Sequence, residues 1–259
     1  MKPLRIFAVL FALLAASNFA KPLGVTAEQG FVFLGRRLEG TPNLLAGWSF
    51  AVFLAAYAMA LWRDRIQALP MGLAYAGYVS ANLYLFTLMM PAPQGNRQIF
   101  GIVYSLLALA GAWGAVAVML REGFVRRERE TGRILLRSFA LLFALMALSD
   151  ALKPFAYTPT TGFVLFGQRL SGTANTIAAL SFSALLACYA HAIWNEKRRA
   201  LPLGIAYAAY VAANLLLWNL RKPEGSTTPL LFALPYLVSA IGVSSGAALL
   251  LRKHRHRLR

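Results

Sequence analysis

The stretch KPLGVTAEQGFVFLGRRLEGTPN, residues 21–43, returns 132 residues later as KPFAYTPTTGFVLFGQRLSGTAN, residues 153–175. Connecting segments tolerate change better than the elements they join, so a loop kept twice in one chain points to a repeated structural unit. Working outward, the correspondence continues without a gap. LPMGLAYAGYVSANLYLF (69–86) answers LPLGIAYAAYVAANLLLW (201–218). Roughly half of the positions from Leu4 to Tyr104 are identical to their partners, more than a shared apolar composition explains. A tandem duplication is the simplest cause.

The units flanking the loop are apolar. Hydrophobic residues make up 59% of the 259-residue chain and charged residues 14%, and the mean hydropathy is +0.58, outside the range of a water-soluble domain. Runs able to cross a hydrocarbon core of ~30 Å fall at 4–20, 43–62, 69–90, 99–120, 134–152, 174–194, 201–220 and 228–251. The expected fold is an all-α integral membrane protein of eight transmembrane helices, arranged as two tandem four-helix repeats. The repeats would cover 1–125 and 133–251, with a linker at 126–132 and a basic tail at 252–259. Four is an even number, so both repeats enter the membrane with the same orientation and are parallel, related by an axis along the membrane normal.

The first run, MKPLRIFAVLFALLAASNFA, has the basic start and apolar middle of a secretory signal. Its partner in the second repeat, RSFALLFALMALSDAL, lies inside the chain, so the first run is expected to be a retained helix.

A net charge of +17 invites a nucleic-acid reading, but the charges are sorted by membrane side. The amino terminus, the loops after the second, fourth and sixth runs and the tail carry eighteen of the Lys and Arg residues, and the other loops carry eight. The positive-inside rule then places both termini in the cytoplasm, with the protein in a bacterial inner membrane. The tail RKHRHRLR, beside a membrane helix, suits anionic lipid, so membrane lipids rather than nucleic acid are the expected partners.

Two sets of side chains recur in both repeats. Within the helices, Tyr75, Tyr78 and Asn82 match Tyr207, Tyr210 and Asn214 at helical spacing, beside small residues that let membrane helices approach. An unpaired amide in hydrocarbon costs several kcal/mol, so Asn82 and Asn214 require polar partners, for which a helix–helix hydrogen bond would suffice. At the outer ends, Arg37 and Arg169 precede Asn43 and Asn175, with Lys21, Lys153 and Asp150 completing a polar cluster. Thr41 and Pro42 read as an N-cap and first helical position, so the cluster suits a small anionic ligand or lipid head group. Ordinary pairing with local carboxylates or carbonyls is the competing reading. The apolar pieces GFVFLG and GFVLFG imply that this loop dips into the interface or packs across the bundle. Asp150, whose partner is Asn18, is the one acid inside an apolar run, and Lys153 at a spacing of three offers it an ion pair.

Catalytic patterns are missing from the sequence. His191 is alone in its run, the acids are scattered, and neither a Ser–His–Asp set nor a Walker loop is present, so no catalytic residue, metal or cofactor is assigned. Cys188 stands where the first repeat has Ala56 and reads as a small packing residue. The leading expectation is a transporter or channel-like protein with a polar site between or within the repeats. The alternative is a non-transporting scaffold or lipid-binding accessory protein, and the third reading is a lipid-acting membrane enzyme.

Overall fold

A computed structural model describes residues 3–20, 30–89, 96–124, 131–155, 162–221 and 230–258. They form eight α-helices: α1 (Pro3–Ala20), α2 (Gly40–Trp62), α3 (Ala68–Met89), α4 (Asn96–Arg121), α5 (Thr131–Leu152), α6 (Gly172–Trp194), α7 (Ala200–Arg221) and α8 (Leu230–Lys253). Every helix begins and ends within three residues of an apolar run read from the sequence. Pro3, Pro42, Pro70 and Pro202 all fall in first turns, where a missing N–H breaks no helical bond.

Five helices, α1, α2, α5, α6 and α7, are long and apolar enough to cross a membrane, and the chain is a multi-pass membrane protein by that measure.

The chain divides into two compact units, Met1–Ile134 and Leu135–Arg259. In the first, α1 packs along α2 and α3 along α4, and the two pairs meet through α1–α4 and α2–α3 contacts. The buried stripe of α1 is Leu4, Ala8, Phe11 and Ala15, one helical face with small residues at alternate turns. In the second unit the buried positions of α5 include Leu136, Ala140, Phe143 and Ala147, the same stripe displaced by 132 residues. Phe11 lies 4.7 Å from Tyr57 and 5.5 Å from Tyr75 between ring centroids, and Phe143 lies 4.6 Å from Tyr189 and 5.6 Å from Tyr207.

Between the first two helices of each unit the chain makes a two-stranded hairpin, a β element that the all-α expectation lacked. Strands β1 (Val32–Phe33) and β2 (Arg36–Arg37) pair antiparallel, with Val32 opposite Arg37. Strands β3 (Val164–Leu165) and β4 (Gln168–Arg169) pair the same way, with Val164 opposite Arg169. The turn residues Leu34 and Gly35 have φ of 46° and 79°, and Phe166 and Gly167 have 46° and 75°. Positive φ at both central positions is the requirement of a type I′ turn, whose twist matches the strands.

The start of α2 differs from the expected cap. The helix begins at Gly40, with Glu39 as the extended N-cap residue and no side-chain capping bond, and α6 begins at Gly172 after Ser171 in the same way. The positive φ of Gly40 (+56°) turns the chain out of the hairpin before Thr41, so Thr41 and Pro42 are already helical.

Candidate functional site: two anchored hairpins

Residues 31 and 38 bond across the first hairpin, the Leu38 N–H donating to the Phe31 carbonyl at 2.9 Å. In an antiparallel pair the next residues point their backbone groups away from the partner strand, so the Val32 carbonyl faces outward and needs a donor elsewhere. The polar stripe of α3 supplies it. The Tyr78 hydroxyl and the Asn82 Nδ2 both donate to the Val32 carbonyl at 3.3 Å, while Asn82 Oδ1 accepts the Gly35 N–H at 2.9 Å. Asn43 on α2 takes the other end, its Oδ1 accepting the Phe31 N–H at 2.7 Å.

The second unit repeats the arrangement. Tyr210 and Asn214 donate to the Val164 carbonyl at 3.3 Å, Asn214 accepts the Gly167 N–H at 3.0 Å, and Asn175 accepts the Phe163 N–H at 2.6 Å. Asn43 and Asn175 are buried, as an uncharged side chain with a satisfied acceptor can be. The polar partner that Asn82 and Asn214 each require is therefore hairpin backbone, where a helix–helix hydrogen bond would also have sufficed.

Apolar contacts complete the seat. The Phe50 ring lies 5.0 Å from Phe31 and 4.6 Å from Tyr78, and Phe182 lies 4.8 Å from Phe163 and 4.7 Å from Tyr210. Gly35 rests directly on the backbone of α3. A Cβ there would stand 2.6 Å from the carbonyl carbon of Leu85, and one on Gly167 would stand 2.5 Å from that of Leu217. Phe and Leu exchange places between the copies, FVFLG against FVLFG, so the aromatic contact on the tyrosine comes from strand residue Phe33 in one hairpin and turn residue Phe166 in the other.

Asn82 lies seven residues before the end of α3, roughly 10 Å along the axis at 1.5 Å per residue. The hairpin is set into the bundle at that depth. Non-helical backbone removed from water needs protein partners, and the two asparagines and the tyrosine of each unit supply them here.

Tyr75 and Tyr207 stand apart from the hairpins, in the aromatic clusters with Phe11 and Phe143. Arg37 and Arg169 are exposed, and the stem of each crosses a glycine, Gly30 or Gly162. The Arg169 guanidinium lies 5.5 Å from the Trp218 ring centroid. Asp150 is buried and pairs with Lys153 at 2.6 Å, and the same ammonium sits 4.9 Å from the centre of the Phe163 ring. Lys21 lies outside the described residues. The structure thus brings Asp150 and Lys153 to the foot of the second hairpin, and in the first unit Asn18 at the same position donates to its own helix at Leu14.

Three features were missed in the sequence. Arg221 Nη1 donates to the Phe166 carbonyl at 3.0 Å, capping the second turn. Gly35 and Gly167 serve as close-contact seats against the backbone of α3 and α7. The hydroxyls of Tyr57 and Tyr189 are buried, with no hydrogen-bond partner among the described residues, and each lies against a helical glycine, Gly72 or Gly204.

A comparison with known proteins finds no matching family model, no similar curated protein and no similar solved structure.

Proposed function

We propose that the protein is a non-transporting membrane scaffold that binds lipid, each four-helix unit holding a rigid hairpin at one membrane face. One observation carries this reading. The polar side chains Asn43, Tyr78 and Asn82, with their counterparts, direct their hydrogen bonds to the hairpin backbone, while the arginines of the hairpin, Arg37 and Arg169, remain exposed. A fixed turn presenting guanidinium groups at a membrane face suits phosphate-bearing head groups, because the planar fork donates two hydrogen bonds to one phosphate. In this reading the repeats are parallel products of a duplication, both termini are cytoplasmic and the hairpins lie at the outer face of a bacterial inner membrane.

A second reading, a transporter or channel-like protein with a polar site within each repeat, draws on the buried hydroxyls of Tyr57 and Tyr189. The two are separated by reconstituting the full chain in liposomes and measuring flux of small anions and cations. Phospholipid retained on the purified protein is measured in parallel. The scaffold reading expects no flux above protein-free liposomes, and retention that falls in the Arg37→Gln and Arg169→Gln variants but is kept better by Lys. Solute flux that is abolished by Tyr57→Phe would replace it with the transport reading.

A further inference from the structure

An apolar groove of about 700 Å³ runs between α1 and α2. Its lining is mostly alanine, with Ala8, Ala15, Ala51 and Ala58 buried and Ala12, Ala16 and Ala55 more open, together with the larger Val9, Val52 and Met59. Val52 is 70% exposed and Met59 49%. Apolar side chains of this kind, standing open in a protein of this hydropathy, face hydrocarbon rather than water. From Ala8 to Phe19 the groove follows α1 for about 16 Å at 1.5 Å per residue, close to half of a ~30 Å hydrocarbon core. One acyl chain of one leaflet matches that length.

The two ends differ. At the hairpin end the Phe19 and Trp48 rings stack at 5.6 Å and close the groove. At the opposite end Trp62 lines the groove, and the Arg5 guanidinium lies 5.4 Å from its ring centroid. Arg63 follows Trp62 directly and Arg65 comes two residues later, with Asp64 between them, and all three arginines are exposed, leaving a net positive charge at this end. An aromatic ring at head-group depth beside a cluster of cations is the arrangement by which membrane proteins select anionic lipid. The equivalent Arg137 and Trp194 of the second unit lie 5.4 Å apart, but Leu148 stands where the first groove has Ala16 and Leu141 where it has Val9, so the second unit is the bulkier at both positions.

We infer that the α1–α2 groove is a binding site for one anionic glycerophospholipid, an acyl chain lying along the alanine lining and the phosphate held by Arg5 beside Trp62. This inference rests on the lipid-binding reading and goes beyond it in naming the site, the leaflet end and the charge of the lipid.

The test is native mass spectrometry of the full chain in detergent, titrated with dioleoyl phosphatidylglycerol and, separately, dioleoyl phosphatidylcholine. Ala16 is exposed, so Ala16→Leu fills the groove without entering the core. Melting curves for each variant show that the fold is kept. The wild type is expected to hold one phosphatidylglycerol per chain more tightly than phosphatidylcholine. Arg5→Gln should weaken phosphatidylglycerol about tenfold, the loss expected for one charge-assisted contact, and phosphatidylcholine, whose choline cation already offsets its phosphate, by less, and Arg5→Lys should restore most of the loss. Ala16→Leu should weaken both lipids. Phosphatidylglycerol held equally by wild type, Arg5→Gln and Ala16→Leu would overturn the groove site while leaving lipid binding elsewhere standing. No retained lipid on the wild type would overturn the inference and the lipid-binding reading together. A dimer that Ala16→Leu converts to monomer would show a second copy in the groove and overturn the lipid assignment.

Discussion

The side chain of Asn82 grips the turn at Gly35, 47 residues away in the chain, by accepting its N–H while donating to the Val32 carbonyl across the same hairpin. A single amide thus satisfies one donor and one acceptor of backbone that the bundle would otherwise strand. Asn214 does the same for Gly167 and Val164. The hairpin seat accounts for an asparagine at each of these places.

Gly35 is required by geometry twice over. Its φ of 79° disfavours any side chain, and a Cβ would meet the Leu85 backbone, which cannot move aside. Gly40 also has positive φ but has open space around it. Gly35→Ala should therefore destabilise by about 2–4 kcal/mol, from strain and displacement of the turn, and Gly40→Ala by only about 1 kcal/mol. Thermal melts of the two variants in one detergent check the order, and equal losses would contradict it.

Helix positions were legible because long apolar runs and the 132-residue correspondence leave little freedom in where the spans lie. The recurrence of Asn43, Tyr78 and Asn82 was legible too, but their partner was not. Backbone N–H and C=O groups have no sequence signature, and strands of two residues are too short to show alternation. Leu34–Gly35 also lacks the Asn–Gly or Asp–Gly pair that marks a type I′ turn. The helix start was misplaced at Thr41 because a positive-φ glycine can open a helix without a side-chain cap.

Tyr57 and Gly72 should behave as a coupled pair. A Cβ on Gly72 would lie 2.6 Å from the Tyr57 oxygen and 2.7 Å from Met119 Cε, the far end of a flexible side chain that can move aside, and the Tyr57 hydroxyl makes no hydrogen bond among the described residues. Gly72→Ala alone is expected to cost about 1–3 kcal/mol through overpacking, whereas Tyr57→Phe alone should change stability by less than about 1 kcal/mol. In the double variant the methyl group fills the space that the hydroxyl leaves, so the combined loss should be smaller than that of Gly72→Ala. Additive losses in a double-mutant cycle would show that the two do not share one space.

Asp150 is held by Lys153, and the first unit manages with Asn18 in the same position. Asp150→Asn is therefore expected to keep the fold within about 1 kcal/mol. Lys153→Met leaves a buried carboxylate without its counter-charge and should lower stability by roughly 1–3 kcal/mol. The reverse order in chemical or thermal unfolding would assign Asp150 a role that its ion pair does not explain.

The proposed orientation is checked by cysteine labelling in intact cells from a Cys188→Ala background. Arg37→Cys should react with an impermeant maleimide, and Arg199→Cys should react only after the membrane is opened, following the positive-inside rule. Labelling of position 199 but not 37 in intact cells would reverse the topology.

The central claim, that the intramembrane asparagines hold the hairpins, is tested most directly by hydrogen–deuterium exchange of hairpin peptides in lipid nanodiscs. Residues 31–38 and 163–170 should be protected in the wild type. Asn82→Ala should release the first hairpin alone and Asn214→Ala the second alone, since each variant leaves the Gly35 or Gly167 N–H without its acceptor and removes one of the two donors to the Val32 or Val164 carbonyl, at roughly 1–3 kcal/mol of local stability. Protection that is unchanged by both substitutions, or hairpins that exchange freely in the wild type, would contradict the account.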